Sequence, residues 1–266
     1  MKKFLKKIGL FKQIKRIYIF IISIKNKIRN LLFPTAIILT YHRVADTSND
    51  PHLLAVSPEN FYEQIKYLKQ NYRVIELDQL VSEVKNKKLK RKTLVITFDD
   101  GYADNLYNAM PILEKLEVPA TVFVSSGHID GSSFHWDKNN KSDQNRPLKK
   151  GELEKLSENK FINIGGHTIS HPHIPTLNVE QKTNEIVDDK NKLTTFCGKN
   201  IYLFSFPFGE FDVESVEIVK KVGYSSAVVL KEKRVSNMSD IYHLPRFLVR
   251  NWKLDEFTKN LKAKFL

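Results

Sequence analysis

Two carboxylates and two imidazoles carry the first chemical signal in this chain. Thr97-Phe98-Asp99-Asp100-Gly101-Tyr102 sets adjacent acids at the end of an apolar strand, before a glycine that permits a sharp turn. Side chains alternate along a strand, but at its end both can turn into one cleft, one to bind a metal ion and one to take a proton. The same acids also suit the N-cap of a helix over Ala103–Leu116. Gly165-Gly166-His167-Thr168-Ile169-Ser170-His171 supplies two imidazoles four residues apart, a spacing that predicts one face of a helical turn and suits metal ligation. Two neutral imidazoles and one carboxylate would leave positions for water and a substrate oxygen, as a catalytic site requires. Cys197 is the only cysteine, which excludes an internal disulfide and a cysteine-rich zinc site.

These residues must be positioned by a larger frame. After Pro34, β-branched runs alternate with helical stretches, the pattern of βαβ units around a parallel sheet. Strands are expected at Ala36–Thr40, Thr93–Phe98, Ala120–Val124, Phe161–Ile164, Ile201–Phe206 and Ser226–Leu230. Helices are expected at Pro58–Gln70, with Ser57 as its start, and at Ala103–Leu116, Val179–Phe196 and Val213–Val222. His42, Asp99-Asp100, His167 and Pro207-Phe208-Gly209 each follow a strand, and in α/β barrels the chemistry gathers where strands end. Gly127–Lys150 is polar and aperiodic and reads as a loop over one barrel end, with Trp136 as a substrate contact. At 266 residues and 41% hydrophobic content, one catalytic domain over 34–266 and an appendage over 1–33 are expected.

The appendage holds ten Lys/Arg, and the first acid of the chain is Asp46, so it supplies most of the net charge of +13. Its apolar run, Ile17 to Ile22, is too short to span a bilayer, and Lys25, Lys27 and Arg29 stand where a secretory cleavage site would fall. Basic residues alternating with Ile, Leu and Phe predict a basic helical arm on an anionic membrane surface, peripheral at the cytoplasmic face. A soluble cytoplasmic protein with a basic arm is the alternative. Nothing else in the sequence points to a nucleic-acid module, and the sequence leaves the oligomeric state open.

Thr97–Tyr102, His167–His171 and Ser205–Gly209 resemble the first three motifs of the polysaccharide deacetylases that share the NodB homology domain, carbohydrate esterase family 4. The resemblance runs from Ala36 to Val249. It implies a distorted (β/α) barrel and one divalent ion, usually Zn2+, with Co2+ or Ni2+ as substitutes. It also implies hydrolysis of N-acetyl groups on chitin-like or related amino sugars, and the basic arm, by holding the chain near a membrane, extends the expectation to a polysaccharide or its lipid-linked precursor. Asp100, His167 and His171 would then hold the ion, Asp99 would be the base, and the Tyr102 N–H would face the oxyanion. Trp136, Pro207 and Phe208 would contact the sugar, and Leu244 would line an acetyl pocket.

Two positions depart from the common pattern. Ser205 stands where the third motif carries an arginine, and Arg246, in His243-Leu244-Pro245-Arg246, stands where the late motif carries a histidine. The departures compensate if Arg246 holds Asp99 and His42, in Thr40-Tyr41-His42-Arg43, is the acid. That arrangement resembles the poly-N-acetylglucosamine deacetylase subgroup. The rival readings are hydrolysis of another amide or a cyclic imide, or an inactive membrane-attached sugar-binding protein. His173 is expected to be a bystander.

Overall fold

The computed structural model describes residues 34–47, 50–130, 134 and 145–265, together with Gln13, Ile14, Arg16 and Ile17. Seven parallel strands close into a barrel: β1 (Thr35–Tyr41), β2 (Thr93–Phe98), β3 (Ala120–Val124), β4 (Ile162–Gly166), β5 (Leu203–Ser205), β6 (Ser226–Leu230) and β7 (Leu244–Leu248). They pair in chain order, and β1 closes the ring by pairing with both β2 and β7. The distorted (β/α) barrel expected from the sequence is thus the fold. Four helical positions of the arm are described and exposed; the rest of the arm lies outside the described residues.

Alternation along each strand divides the core. Ile37, Leu39 and Tyr41 join Phe61, Ile65 and Leu68 of α1 (Pro58–Asn71) in one cluster. Ala36 and Ile38 join Val95, Phe123, Val228 and Leu244 in a second, as the two-residue strand period requires. Leu77, Leu80, Val81 and Val84 of α2 (Leu77–Lys85) complete that second cluster and close the N-terminal end of the barrel. Towards the other end the inward positions turn polar: Thr40, Thr97, Ser205 and Arg246 are all buried.

The helices start where the sequence supplies caps. Ser57 accepts from the Asn60 N–H at α1, as expected, and Asn178 and Gln181 form a reciprocal cap at α5 (Val179–Cys197). Among the described residues after Pro34, the other α-helices are α3 (Met110–Lys115), α4 (Lys150–Glu158), α6 (Val213–Lys221) and α7 (Leu254–Phe265).

Three local expectations are corrected. The stretch 103–116 is not one α-helix: a π-helical turn over Asn105–Ala109 precedes α3, beside Pro111, which has no N–H to continue an i→i−4 ladder. β7, the strand that carries Arg246, is additional to the six expected strands. His167 to His171 is an irregular loop rather than a helical turn, because Thr168 (φ 65°) and His171 (φ 57°) adopt left-handed backbone.

Candidate active site

The ends of β1, β2, β4 and β5 open into one cavity of about 260 Å3, whose lining includes His42, Asp99, Asp100, His167, His171 and Phe208. The sequence of β2 positions the acids by running apolar to Phe98 and then breaking. Asp100 (φ 74°) and Gly101 (φ 81°) are both left-handed, so the chain reverses and both carboxylates enter the cavity. A non-glycine residue held there costs about 1–3 kcal/mol, which the surrounding packing must sustain.

Asp99 is gripped from the barrel interior. Arg246 donates to both of its oxygens, Nη1 to Oδ1 at 2.8 Å and Nη2 to Oδ2 at 2.7 Å. The same guanidinium donates to Thr97 Oγ1 (3.1 Å) and Ser205 Oγ (2.9 Å). Burial alone would raise the Asp99 carboxyl, but the Arg246 guanidinium paired with it outweighs this and holds the group well below the usual carboxylate range. The serine that replaces the motif arginine is therefore part of the Arg246 socket.

Asp100, His167 and His171 form a separate cluster whose ligand atoms lie within 4.8 Å of one another. Asp100 Oδ1 is 3.5 Å from Nε2 of each histidine, is buried, and accepts no hydrogen bond. An orphaned carboxylate oxygen facing two imidazole nitrogens fits a cation between them. His167 is oriented by its Nδ1, which donates to the Ser205 carbonyl at 2.7 Å and leaves Nε2 as a bare lone pair. Burial pushes His171 down to about 3, so its ring is neutral and able to ligate at neutral pH. The Thr168 hydroxyl accepts from the His171 N–H at 3.1 Å and fixes the loop between the two.

One carboxylate behind this loop escaped the sequence reading. Asp189 of α5 is fully buried and accepts the backbone N–H of His167 (3.0 Å) and of Ser126 (3.1 Å). Burial raises it to about 7 despite these donors. The glycine doublet makes room for it: a Cβ on Gly166 would stand 2.6 Å from Asp189 Oδ2. The signal was a helical period, since Ile186, Asp189 and Leu193 share the buried face of α5.

His42, half-buried just after β1, lines the cavity, and its Nδ1 has no hydrogen-bond partner. Burial lowers its pKa against the opposing pull of Asp100 and Asp99. Phe208 (φ 58°) is 48% exposed on the rim, with His171 at its edge (4.5 Å) and His173 stacked on its face (4.1 Å). His173, expected to be a bystander, thus braces the rim, and its Nδ1 lies 2.8 Å from Glu210. Pro207 is buried at the start of that short turn.

Of the remaining expected contacts, Leu244 falls elsewhere, and Tyr102 is expected to act through its backbone N–H rather than its ring. The Tyr102 ring is buried between Phe134 (4.5 Å) and the Arg43 guanidinium (4.8 Å). Leu244 does not line the cavity; it shares the inward face of β7 with Arg246 and Leu248, but lies two steps down in the apolar layer of the barrel. Leu54, Leu230 and Leu248 supply the apolar wall instead. Trp136 lies outside the described residues.

Comparison with known proteins agrees with this fold. The chain is 27% identical over 246 residues to a poly-beta-1,6-N-acetyl-D-glucosamine N-deacetylase of Staphylococcus aureus, covering 85% of this chain and 82% of that protein. Its fold matches the Streptococcus pyogenes deacetylase PplD in complex with acetate (TM-score 0.74, 22% identity, 87% of this chain and 98% of that one). It also matches IcaB from Ammonifex degensii (TM-score 0.71, 20% identity, 88% and 98%). The sequence model described as polysaccharide deacetylase matches residues 86–227, more than half of the chain and most of the strands that frame the cavity, so this protein belongs to the polysaccharide deacetylase family.

Proposed function

We propose that this protein is a metal-dependent hydrolase that removes N-acetyl groups from an amino sugar of a polysaccharide, with Zn2+ as its ion. One juxtaposition carries the reading: a carboxylate held ionised by Arg246 and left out of the ligand cluster shares a cavity with a three-ligand site. The relatives named for deacetylation support the choice of bond, and a cavity open to solvent suits one residue of a longer glycan better than a small cyclic imide.

The ion would supply Lewis acidity toward the acetyl carbonyl and lower the pKa of a water, which a base of such low proton affinity as Asp99 requires. Asp99 would accept the proton of the attacking water. Arg246 does not exhaust it, because an ionised carboxylate offers about four lone-pair sites. Asp100, His167 and His171 would hold the ion. His42 carries a proton to the departing amine, and its depressed pKa makes it a strong acid once loaded.

The test is acetate release from β-1,6-linked N-acetylglucosamine oligomers by chelator-stripped protein, before and after adding Zn2+ or Co2+. Release restored by metal is expected. His42→Ala lowers amide cleavage by about 10²–10⁴-fold, and far less with an aryl acetate ester, whose leaving group needs no proton. No release from any acetylated glycan with metal bound would sink the enzyme reading. Equal loss on amide and ester removes His42 from the acid role.

We also propose that residues 1–33 hold the chain to the anionic cytoplasmic face of a membrane. Ten basic residues without an acid, interleaved with apolar ones, support this. No described helix is long and apolar enough to cross a bilayer. Partition of the full chain to phosphatidylserine-containing vesicles is expected. Equal partition by a chain lacking residues 1–33 overturns the assignment to the arm.

A further inference from the structure

The start of β1, which follows the arm in sequence, lies beside a second basic feature. α2 ends at Lys85, and the turn that follows it carries Lys87, Lys88, Lys90, Arg91 and Lys92, all exposed and with no acid among residues 85–92. Lys87, Lys88, Lys90 and Lys92 enter no ion pair among the described residues. The turn is built rather than loose. Leu89 is buried in the cluster that closes the barrel, its N–H donates to Asn237 Oδ1 at 3.1 Å, and the Lys87 and Lys88 N–H groups bond back to Val84 and Glu83 carbonyls at 3.0 and 2.8 Å.

Topology puts this turn and the start of β1, to which the arm is joined in sequence, at one end of the barrel. The turn leads into Thr93, which pairs with Ala36, one residue past the start of β1. Thr35 in turn pairs with Ser236, next to the Asn237 that anchors the turn. From Thr93, β2 runs six residues, about 20 Å at 3.3 Å per residue, before reaching Asp99 at the other end. Lys160, exposed ahead of β4, and Lys221, exposed at the end of α6 ahead of β6, add charge at the same N-terminal end.

We propose that the lysine-rich turn 85–92 is a second membrane contact that seats the N-terminal end of the barrel on an anionic lipid bilayer and points the catalytic mouth away from it. This rests on the reading of the arm as a membrane segment. Each exposed lysine near an anionic surface contributes about 1 kcal/mol, and the field decays within about 10 Å, so only the end that faces the bilayer gains. A bilayer fits better than a nucleic acid, because no aromatic side chain interleaves with the turn to stack on bases, whereas the arm interleaves its charges with Ile, Leu and Phe. The orientation favours a glycan that extends from the surface over a sugar held at headgroup level.

The experiment compares binding of the full chain to vesicles of phosphatidylcholine alone and mixed equally with phosphatidylserine. It includes a turn variant (Lys87→Gln, Lys88→Gln, Lys90→Gln) and a control of equal charge change (Lys150→Gln, Lys155→Gln, Lys253→Gln). The turn variant should lose about a hundredfold in affinity for the anionic vesicles, the equivalent of three lysines, and the control far less. Backbone hydrogen exchange in the presence of vesicles should slow over 85–92 and not over 168–171. Equal loss in both variants, no loss in the turn variant, or protection at 168–171 overturns the proposal while leaving the arm reading intact. Absence of anionic-vesicle binding by the full chain overturns both. Full vesicle affinity in a turn variant that no longer binds a duplex oligonucleotide assigns the turn to nucleic acid and overturns it as well.

Discussion

Replacing Asp99 by Asn lowers acetate release by about 10²–10⁴-fold at saturating substrate, with metal content unchanged. The two halves of this outcome separate the roles of adjacent carboxylates. The asparagine keeps the size of the side chain and one acceptor for Arg246, so the socket of Thr97, Ser205 and Arg246 persists. It loses the ability to take a proton. Asp100, which faces the two imidazole nitrogens at 3.5 Å, is untouched. Metal analysis of the purified variant beside kcat and KM is the measurement. A variant that retains activity, or one that loses its metal, would show that Asp99 is not the base or that the acids exchange roles.

Replacing Arg246 by Met has the second large effect, on stability as well as rate. Asp99 and Arg246 are almost fully buried, and breaking such a pair leaves a charge without a partner, at about 3–5 kcal/mol. The shift in denaturant midpoint reports this cost. The pH dependence has a definite sign. In the wild type the folded Asp99 pKa is depressed, so the pair stabilises fully above the unfolded value of about 4 and loses that contribution as pH falls through the lower folded value. In the variant, burial is no longer opposed by the guanidinium, so the Asp99 pKa rises. The stability gap should therefore narrow on acidification, starting at the raised Asp99 value of the variant and continuing below about pH 4 as the wild type loses its pair, and the acid limb of the rate profile should move to higher pH. Arg246→Lys recovers only part, since one ammonium cannot span both oxygens in the planar fork of 2.7 and 2.8 Å contacts. A variant with unchanged stability and an unchanged acid limb would remove Arg246 from its positioning role.

The legible parts of this molecule were those whose chemistry is local. Asp99 and Asp100 follow a run of apolar residues, and His167 follows a glycine doublet, so residue type and neighbours sufficed to mark them. β7 was illegible for a physical reason. Leu244-Pro245-Arg246-Phe247-Leu248 contains a proline, which argues against an interior strand, and an inward arginine, which breaks the apolar alternation. The need for that arginine becomes visible only when β7 lies across the barrel from Asp99. Leu244 was misplaced for the same reason, since its depth depends on where β7 begins. Asp189 sits in the periodic pattern of α5 at a core position, but an acid there reads as solvated until Gly166 is seen to leave it space.

The backbone around the ligand cluster has a consequence for any attempt to make this protein more heat-resistant. Asp100, Thr168, His171 and Phe208 all occupy left-handed conformations without being glycine. Substitutions that relieve such positions are among the readier routes to a higher melting temperature. At these four sites the side chains form or brace the cavity, so selection for endurance and selection for turnover oppose each other there, whereas Leu53, Lys87, Lys92, Glu117 and Asp130 are left-handed away from it. The helices and the outer faces of the strands are free of that conflict, and a durable variant would have to be assembled there.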